Sequence, residues 1–500
     1  MLDKYANLLD NIVDGVSMYR LLLYYLIGLI ISAIGLSLAG VLKINAFDLA
    51  LSASILVGAC YLINKILASI FRAPTNPESS ILTGLILSLI ISPSLSATGV
   101  MFLLAASGLA MASKYILSIK RKHLFNPAAI AVVLTAIGPR QTASWWIGTA
   151  AMLPFVLIGG ILIARKVKAE RMIGWFLAAT TITTLVFAVM AHAGVGVTLK
   201  NMILYSAVFY LAFVMLIEPY TSPTTRAKQA WYAIIVGIIM APQFHIGHYY
   251  STPEVALIVG NIFAYIVSSK IKLFPVLYRK YKIATDSAEF EFIPEKPLDY
   301  LPGQYMEFTL PHPKADSRGV RRYFTLSSSP TEENIKIGVK FYDNGSSYKS
   351  ALLDVDTNTP IVAAQLGGDF VMPEDSSQKL VFIAGGIGIT PFRSMIKYLI
   401  DTKQARDIIL LYSVKKEDQL AYRSLFEEAS SKLGLRVHYV ITGQRQTINE
   451  KMIQKVVPDI DQRVFYISGT HHMVESIHQR LVSMGVKHAN IKTDFFPGYA

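Results

Sequence analysis

The sequence predicts a polytopic α-helical membrane domain followed by a soluble antiparallel β-barrel and a parallel α/β domain. Three observations lead to this prediction. The 500 residues are 53% hydrophobic with a mean hydropathy of +0.43, which is too apolar for an ordinary soluble protein. Only eight carboxylates occur before residue 273, whereas the remainder is richly charged. After residue 274, long apolar runs give way to short alternating strands and then, from about residue 379, to strand-helix alternation.

Apolar runs in the first part have the length of membrane-spanning helices. The seven longer ones are residues 19–42, 47–71, 97–118, 143–164, 172–193, 198–217 and 253–269. Three shorter runs, interrupted or flanked by Pro and Gly, are typical of broken or half-membrane helices and lie at residues 79–94, 125–138 and 229–244. We therefore expect about ten spans, arranged as a 5+5 inverted repeat.

Basic clusters indicate the orientation of these spans. With ten crossings, residues 120–122, 165–168, 226–228 and 270–282 all fall on one side. The positive-inside rule makes that side cytoplasmic. We expect a multi-pass protein of the cytoplasmic (inner) membrane, in contact with the lipid bilayer and with both termini in the cytoplasm.

Composition argues against several classes of function. The net charge is +13, but the basic residues of the first half lie in short loops, so no nucleic-acid partner is expected. A single cysteine, Cys60, excludes disulfides and cysteine-bound clusters within the chain, and no metal site is expected. Haem is not expected, because the histidines of the first half lie near predicted helix ends: His123, His192, His245 and His248.

Three loops of the membrane part place Asn, Pro, Glu or Thr at helix entrances, at residues 72–80, 123–129 and 218–225. Free backbone N–H groups at such entrances can hold an anion such as a flavin phosphate. Each loop taken alone is better explained as a helix cap or a turn, and only the three together favour an anion site. The candidate flavin contacts in these loops are Asn76, Glu78, Asn126, Glu218 and Thr221.

The barrel region carries a second group of candidate residues. Arg322, Phe324 and Thr325 lie on an extended segment, and we expect one face to offer a charge for pyrophosphate, a ring for stacking and a hydroxyl for a flavin. Ser346 and Ser347 follow a glycine after the next strand and could present N–H groups and hydroxyls to phosphate. Alone, the first segment could be any polar edge strand.

A glycine-rich turn opens the α/β region. It follows the apolar run 380–384 and begins a helical stretch, so its backbone can approach a dinucleotide pyrophosphate at the helix N-terminus. Such a turn alone is weak evidence, but its place about sixty residues after Arg322 is more specific. Its candidate residues are Gly385, Gly386, Gly388, Thr390 and Pro391.

In this order, the motifs resemble the ferredoxin-NADP reductase superfamily over residues 280–500. The resemblance implies that Arg322 binds the pyrophosphate of FAD and that Ser346 and Ser347 complete the phosphate site. It also implies a catalytic pair, in which Phe324 packs on the flavin and Thr325 hydrogen-bonds near N5, the atom that accepts hydride.

The same resemblance covers the nicotinamide end. Ser468-Gly469-Thr470 stands where the superfamily commonly has Cys-Gly-Pro, so Gly469 and Thr470 are expected beside the nicotinamide. Phe496 belongs to an aromatic tail like the one that covers the flavin, although core packing explains it equally well. NADH and NADPH stay open, because Lys415 and Lys416 could hold a 2′-phosphate or form a solvated turn.

The three membrane loops, in their order among the helices, look like the family of flavin-carrying membrane proteins shared by the Rnf electron transport complex and the sodium-pumping NADH:quinone reductase. The resemblance covers residues 15–270. It implies FMN or riboflavin in the membrane domain, ion transport and further electron-transport subunits. The family's Ser-Gly-Ala-Thr signal for covalent FMN has no clear counterpart, the nearest residues being 147–150.

These expectations give a transmembrane electron-transfer domain at residues 1–272, a linker at 273–281, an FAD-binding barrel at 282–375 and an NAD(P)-binding domain at 376–500. The predicted protein is a membrane-bound flavoprotein oxidoreductase that passes electrons from NADH or NADPH through FAD to a membrane flavin or quinone. Alternatively, the bundle is an anchor, or an ion transporter without its own redox cofactor. Polar groups for an ion path are Lys65, Lys114 and Asn261, although helix-end snorkelling explains the lysines as well.

Overall fold

The computed structural model describes residues 16–71, 77–119, 122–138, 140–241, 244–246, 249–268, 271–343, 345–444 and 446–495. Two predicted site residues, Asn76 and Phe496, lie outside these ranges. The chain forms two compact units, Met1–Lys270 and Ile271–Ala500, which we call unit 1 and unit 2.

Unit 1 is a bundle of helices with two very short hairpins. Side-chain caps at Ser17, Asn45, Ser96 and Asn126 accept hydrogen bonds from free N–H groups of the first turns. The helices are α1 (Met18–Leu38), α2 (Ala46–Ile70), α3 (Pro77–Ile90), α4 (Ala97–Ile116), α5 (Pro127–Ile137), α6 (Leu153–Val167), α7 (Glu170–Met190), α8 (Val195–Leu204), α9 (Val208–Met215), α10 (Arg226–Met240) and α11 (Pro253–Val267). The hairpin strands are β1 (Ser118–Ile119), β2 (Lys122–His123), β3 (His245–Ile246) and β4 (Tyr249–Tyr250).

The helices of unit 1 fall into two groups by length. Among the described residues, α1, α2, α4 and α7 are long and apolar enough to cross a membrane. A fifth crossing results if α8 and α9, bent by 52° at their junction, form one span. Helices α3, α5 and α11 are shorter apolar helices. Short helices are predicted at α3 and α5, whereas residues 253–269 are predicted to be a full span, and α11 has only 15 residues. Length and composition thus give four or five crossings, and the ten-span inverted repeat stays a proposal.

One predicted span is wrong at its beginning. The apolar run 143–164 becomes helical only at Leu153, because the backbone before it is held by other contacts. Trp145 has a φ of +51°, and its N–H donates to the carbonyl of Ile90. The indole of Trp146 donates to the carbonyls of Ser88 and Ile91, at 3.0 and 3.1 Å. The apolar composition of this run thus predicts a helix where the chain forms an irregular segment packed against the end of α3.

Unit 2 begins with the predicted antiparallel barrel. One sheet has the order β10-β7-β6 and the other β5-β11-β8-β9, and a bridge between Leu326 and Ile337 joins them. Phe290, Phe292 and Phe308 fill the interior and are at most 1% exposed. The strands are β5 (Lys272–Leu273), β6 (Val276–Ala284), β7 (Ser287–Ile293), β8 (Tyr305–Thr309), β9 (Arg321–Thr325), β10 (Ile335–Lys340) and β11 (Val362–Gly367), and α12 (Ser347–Leu353) precedes β11.

The predicted parallel α/β domain follows. Its sheet has the order β14-β13-β12-β15-β16, and residues 380–384 of the central strand are fully buried beneath helices on both faces. The strands are β12 (Lys379–Gly385), β13 (Ile408–Val414), β14 (Arg436–Ile441), β15 (Arg463–Ser468) and β16 (Ile491–Asp494). The helices are α13 (Thr390–Thr402), α14 (Arg423–Leu433), α15 (Glu450–Val456) and α16 (His471–Ser483).

Candidate functional site

The strand order of the parallel sheet marks a crevice. From β12 the chain proceeds outward to β13 and β14, and then returns to the other side of β12 with β15 and β16. The carboxyl ends of β12 and β15 therefore meet at the point where the strand order reverses. In open α/β sheets, ligands bind in the crevice at this point.

The two glycine turns predicted to hold a dinucleotide meet at that point. A Cβ on Gly388 would lie 2.5 Å from the carbonyl oxygen of Ser468, and one on Gly385 would lie 3.7 Å from the Cα of Gly469. The backbones of the two turns thus pack directly together. The structure brings Gly385, Gly388 and Gly469 into one place, and only glycine fits at Gly388 without displacing backbone.

The remaining residues of the turn shape the start of α13. Gly386 has a φ of +54°, a left-handed conformation that favours glycine, and it begins a 3-10 turn over Gly386–Ile389. The hydroxyl of Thr390 donates to the carbonyl of Ile387 at 3.1 Å, and Pro391 occupies the first turn of the helix. The turn therefore directs backbone N–H groups toward the crevice at the beginning of a 13-residue helix.

A group of cations lies on the barrel. Arg322, on β9, is 6% exposed; its Nη1 donates to the carbonyl of Arg318 at 2.8 Å, and its guanidinium lies 5.0 Å from the ring centroid of Tyr348. Lys349, in the first turn of α12, lies close enough to Arg322 for the guanidinium charge to shift its pKa. Burial, and then the positive charges of Arg322, Arg318 and Lys340, lower the pKa of Lys349 to about 8. This concentration of positive charge favours an anion.

Sequence reasoning missed Lys349. The prediction stops at Ser347, two residues earlier, because that motif is chosen for its hydroxyls. A signal was present, since Lys349 is a cation in the first turn of a helix, where the positive end of the helix dipole already disfavours a cation. A cation at this position is unfavourable for the helix and favourable for a bound anion.

The two faces of β9 divide the predicted flavin residues. Arg322 and Phe324 pair across the strands with Phe308 and Met306, and the ring centroid of Phe324 lies 6.0 Å from that of Phe308. Thr325, the next residue, therefore points to the opposite face. The expectation that all three share one face is wrong for Thr325, because side chains along a strand alternate.

Ser346 caps α12 and Ser347 is its first residue, as a phosphate-binding turn would require, but both are engaged within the protein. The hydroxyl of Ser346 accepts from the N–H of Lys349 at 3.4 Å. The N–H of Ser347 donates to the carboxylate of Asp316 at 2.9 Å, and its hydroxyl lies 3.0 Å from Nε2 of His312. A phosphate at Ser347 would take the place of the Asp316 carboxylate.

Hydrogen bonds keep Asp316 ionised. Partial burial acts to raise the pKa of this carboxyl group, but hydrogen bonds from Arg318 and from the N–H of Ser347 outweigh it and lower the pKa to about 2. The salt bridge between Arg318 and Asp316 is 2.7 Å long. The arginine's charge is therefore partly neutralised, and Arg322 and Lys349 are the better candidates for an added anion.

The end of β15 leads into an aromatic stack. Thr470 is exposed and precedes α16, and the ring of His471 stacks on Phe495 with centroids 4.4 Å apart. Met473 lies one turn further, where its sulfur would contact a Cβ on Gly385 or Gly469. The described part of the aromatic tail thus lies at the same crevice as the glycine turns.

In unit 1, two of the predicted loops meet through hydrogen bonds. The side-chain amide of Asn126 donates to Glu218 at 2.7 Å, and the hydroxyl of Thr221 donates to the same oxygen at 3.1 Å. Asn261 accepts from the N–H of Asn126 at 2.9 Å and donates to the carbonyl of Thr221 at 3.2 Å. Asn261 therefore fastens the two loops together, whereas Lys65 is exposed.

The third loop reaches the same place through a neighbour of the predicted residue. Glu78 pairs with Arg20 at 3.8 Å, but Ser79 lines a cavity of about 50 Å³ together with Asn126 and Glu218. Lys114 also lines this cavity and donates to the hydroxyl of Ser79 at 3.1 Å. The cavity thus combines a cation, a carboxylate and an amide with apolar walls from Leu22, Leu82, Ile86 and Val214.

Comparison with known proteins addresses unit 2. Residues 382–479 match the family described as Oxidoreductase NAD-binding domain. Flavohemoprotein A of Dictyostelium discoideum is 24% identical over 235 residues, which cover 44% of this chain and 59% of that protein. The glycine betaine monooxygenase reductase subunit of Chromohalobacter salexigens is 25% identical over 214 residues, or 40% of this chain and 57% of that protein. The chain thus spans less than two thirds of either relative.

A solved structure covers the same region. The Amycolatopsis cytochrome P450 reductase GcoB superposes with a TM-score of 0.41 and 20% identity over 46% of this chain and 71% of that chain. The barrel with its cations, the glycine turns at the reversal of strand order and the family match all fall within residues 271–500. Unit 2 is therefore an oxidoreductase unit that binds FAD and NAD(P)H, with its match to an NAD-binding domain at residues 382–479.

Proposed function

We propose that the whole chain is a membrane-bound flavoprotein reductase that oxidises NADH or NADPH and delivers the electrons, through FAD, to a flavin or quinone acceptor in unit 1. The observation that carries this proposal is the contact of the glycine turns at Gly388 and Gly469, at the crevice of a unit whose barrel also concentrates cations. FAD bound there would accept hydride from the nicotinamide at N5 and supply single electrons to an acceptor.

The chain's own residues would divide the binding work. Arg322 and Lys349 would hold the pyrophosphate of FAD, and Phe324 would pack along the flavin from the same strand. The turn Gly386–Ile389 would receive the pyrophosphate of the dinucleotide through its N–H groups, while Gly469 and Thr470 would border the nicotinamide. Thr325 points to the face of β9 opposite Arg322. Its hydroxyl would therefore contact the flavin ring only if the ring lay at that opposite face.

The test is cofactor analysis of the purified full-length protein. We expect stoichiometric FAD and oxidation of NADH or NADPH, and Arg322→Ala should weaken FAD binding by about tenfold or more, because a charge-assisted contact is lost. The matched control is Arg321→Ala, since this neighbour points to the other face and lies 4.0 Å from Glu307. Equal FAD content in both variants would refute the assignment.

The choice of coenzyme is tested on the same preparation. Lys415 and Lys416 are exposed at the carboxyl end of β13, and the carboxylate that follows, Glu417, is paired with Arg423 at 2.9 Å. If these lysines hold a 2′-phosphate, kcat/KM for NADPH should exceed that for NADH. A preference for NADH would identify the lysines as a solvated turn.

The role of unit 1 rests on its polar cavity. The proposal of FMN, riboflavin or a quinone in unit 1 is supported by the cation, carboxylate and amide side chains of Lys114, Glu218 and Asn126 around this cavity. Acid precipitation would separate free FAD from any retained flavin, and an acceptor screen would identify the quinone. If the membrane unit bound neither flavin nor quinone, it would be an anchor.

A second candidate function is ion transport. The support is the packing of α2 on α4 and α4 on α5, which is matched by α7 on α10 and α10 on α11, as a 5+5 repeat requires. Proteoliposomes oxidising NADH should then develop a voltage or a pH gradient that an ionophore abolishes. Oxidation without a gradient would reject ion coupling and leave the reductase intact. Further electron-transport subunits would copurify from native membranes.

A further inference from the structure

A buried carboxylate connects the two domains of unit 2. Glu289 lies on β7, is 1% exposed, and accepts hydrogen bonds from three hydroxyl groups. Tyr281 and Ser327 belong to the barrel, and the hydroxyl of Ser327 lies 2.6 Å from Oε1 of Glu289. Tyr422 belongs to the α/β domain, and its hydroxyl lies 2.5 Å from the same oxygen. One carboxylate oxygen is thus shared between the two domains.

The Tyr422 side of this connection reaches the glycine-rich turn. A Cβ on Gly338 of β10 would lie 2.7 Å from the hydroxyl oxygen of Tyr422, 2.7 Å from Cγ2 of Thr390 and 3.3 Å from Cδ1 of Ile387. The absence of a side chain at Gly338 therefore allows the barrel, Tyr422 and the turn to pack together. Tyr422 and the turn therefore lie against the same position of β10.

The Ser327 side reaches the strand that carries the flavin residues. Ser327 follows Thr325 by two positions, and its carbonyl accepts from Arg393 of α13 at 2.9 Å. The hydroxyl of Ser394 donates to the carbonyl of the next residue, Ser328. The segment after β9 is therefore held by Glu289 on one side and by the helix after the glycine turn on the other.

We propose that Glu289 is a positioning residue, which fixes the end of the flavin strand relative to the glycine turn of the nucleotide-binding domain. The inference rests on the proposed function, because this alignment matters when hydride passes between groups held on the two sides. A misplacement of about 1 Å between reacting groups can cost about a hundredfold in rate. Glu289 contacts neither group and acts through Ser327 and Tyr422.

The experiment compares two buried carboxylates of the same strand. Glu289→Met keeps the approximate volume and removes the acceptor for all three hydroxyls. Glu291→Met is the matched control, since Glu291 is 4% exposed and lies two residues away on the same face. Among the residues that the structure describes, its partners are Arg279, Asn334 and Lys336, all of the barrel. Full-length protein is used throughout, with stopped-flow flavin reduction at saturating dinucleotide and hydrogen exchange of the cofactor-free chain.

We expect Glu289→Met to slow flavin reduction about tenfold or more while FAD content is unchanged, because only alignment is altered. Amide exchange should rise at residues 327–329 and at Gly386–Ile389 together, and Glu291→Met should raise exchange within the barrel alone. Glu289→Gln, which keeps one acceptor oxygen, should restore most of the rate. Equal effects of both Met variants, or unchanged exchange at the glycine turn, would overturn the inference.

Tyr422→Phe keeps the test decisive if Glu289→Met does not fold. It removes a single hydroxyl, and we expect a smaller loss of rate with increased exchange at Gly386–Ile389. A rate and exchange equal to those of the unmodified protein would overturn the inference. Failure of the proposed function is distinguishable, since the unmodified protein would then lack FAD or leave the dinucleotide unoxidised.

Discussion

The pH dependence of FAD binding is a quantitative consequence of the cation group on the barrel. Burial and the charges of Arg322, Arg318 and Lys340 lower the pKa of Lys349 to about 8. A bound pyrophosphate raises that pKa again, because an adjacent negative charge favours the ammonium form. The affinity for FAD is therefore at its maximum when the pH is below the pKa of Lys349 in the FAD-free protein. It falls as the pH rises through that pKa.

The magnitude follows from the fraction of neutral lysine. With a free-state pKa of about 8, about nine tenths of Lys349 is uncharged at pH 9, so the affinity for FAD should fall about tenfold between pH 7 and pH 9. The assay is equilibrium titration of the FAD-depleted full-length protein, followed by quenching of flavin fluorescence. Added salt should lower the affinity only modestly at both pH values, because buried and partly buried charge pairs are screened less than exposed ones.

Substitution separates Lys349 from other titrating groups. Lys349→Met should bind FAD more weakly at pH 7 and lose the decrease between pH 7 and pH 9. The control is Lys379→Met, because Lys379 is paired with Asp459 at 2.9 Å in the α/β domain. The reasoning is refuted if the unmodified protein binds FAD equally at both pH values, or if Lys349→Met retains the full decrease.

Two further predictions concern the ion pair between Glu332 of the barrel and Arg393 of α13, and the glycine turn before α13. Partial burial acts to raise the pKa of Glu332, but its contacts with Arg393 outweigh this and lower it to about 2, so stability from this pair is present above pH 4.5 and is lost as the pH falls toward 2. Thermal unfolding of Glu332→Gln should accordingly depend less on pH between 5 and 3 than that of the unmodified protein, and equal slopes would contradict this. Gly388→Ala places a Cβ 2.5 Å from the carbonyl of Ser468 and should weaken dinucleotide binding about tenfold or more, whereas Gly386→Ala meets no atom within 4 Å and should cost only about 1–2 kcal/mol of stability from its left-handed backbone. Equal dinucleotide affinities in the two alanine variants, by calorimetry, would contradict the packing argument.

The architecture of unit 2 was predictable because its signals are local. A fully apolar run at residues 380–384, followed by glycines and then a helical pattern, is consistent with a buried parallel strand and its turn, and the structure has both. Gly385 and Gly469, both expected at the dinucleotide, each come directly after an apolar strand, but their direct contact was not predicted. Neighbouring parallel strands end at one edge of a sheet.

Features that depend on tertiary contacts were not predictable. The contacts of Glu289 join residues as far apart as 281 and 422, and no sequence spacing reveals them. Thr325 is predicted on the wrong face because its motif is considered as a group of residue types. In unit 1, Trp145 and Trp146 count as apolar residues of a span, yet their indole groups donate to Glu254 and to backbone carbonyls. Hydropathy does not register such hydrogen bonds.

The order β14-β13-β12-β15-β16 also governs how unit 2 can assemble during synthesis. Strand β12 finds β13 within thirty residues, but its other neighbour, β15, begins at Arg463, about eighty residues after β12 ends. Until then a fully apolar strand has one open hydrogen-bonding edge, which is a site for intermolecular pairing. We therefore expect ribosome-bound chains shorter than about 470 residues to require chaperones, and slow, non-local closure of the sheet to limit the folding rate of unit 2.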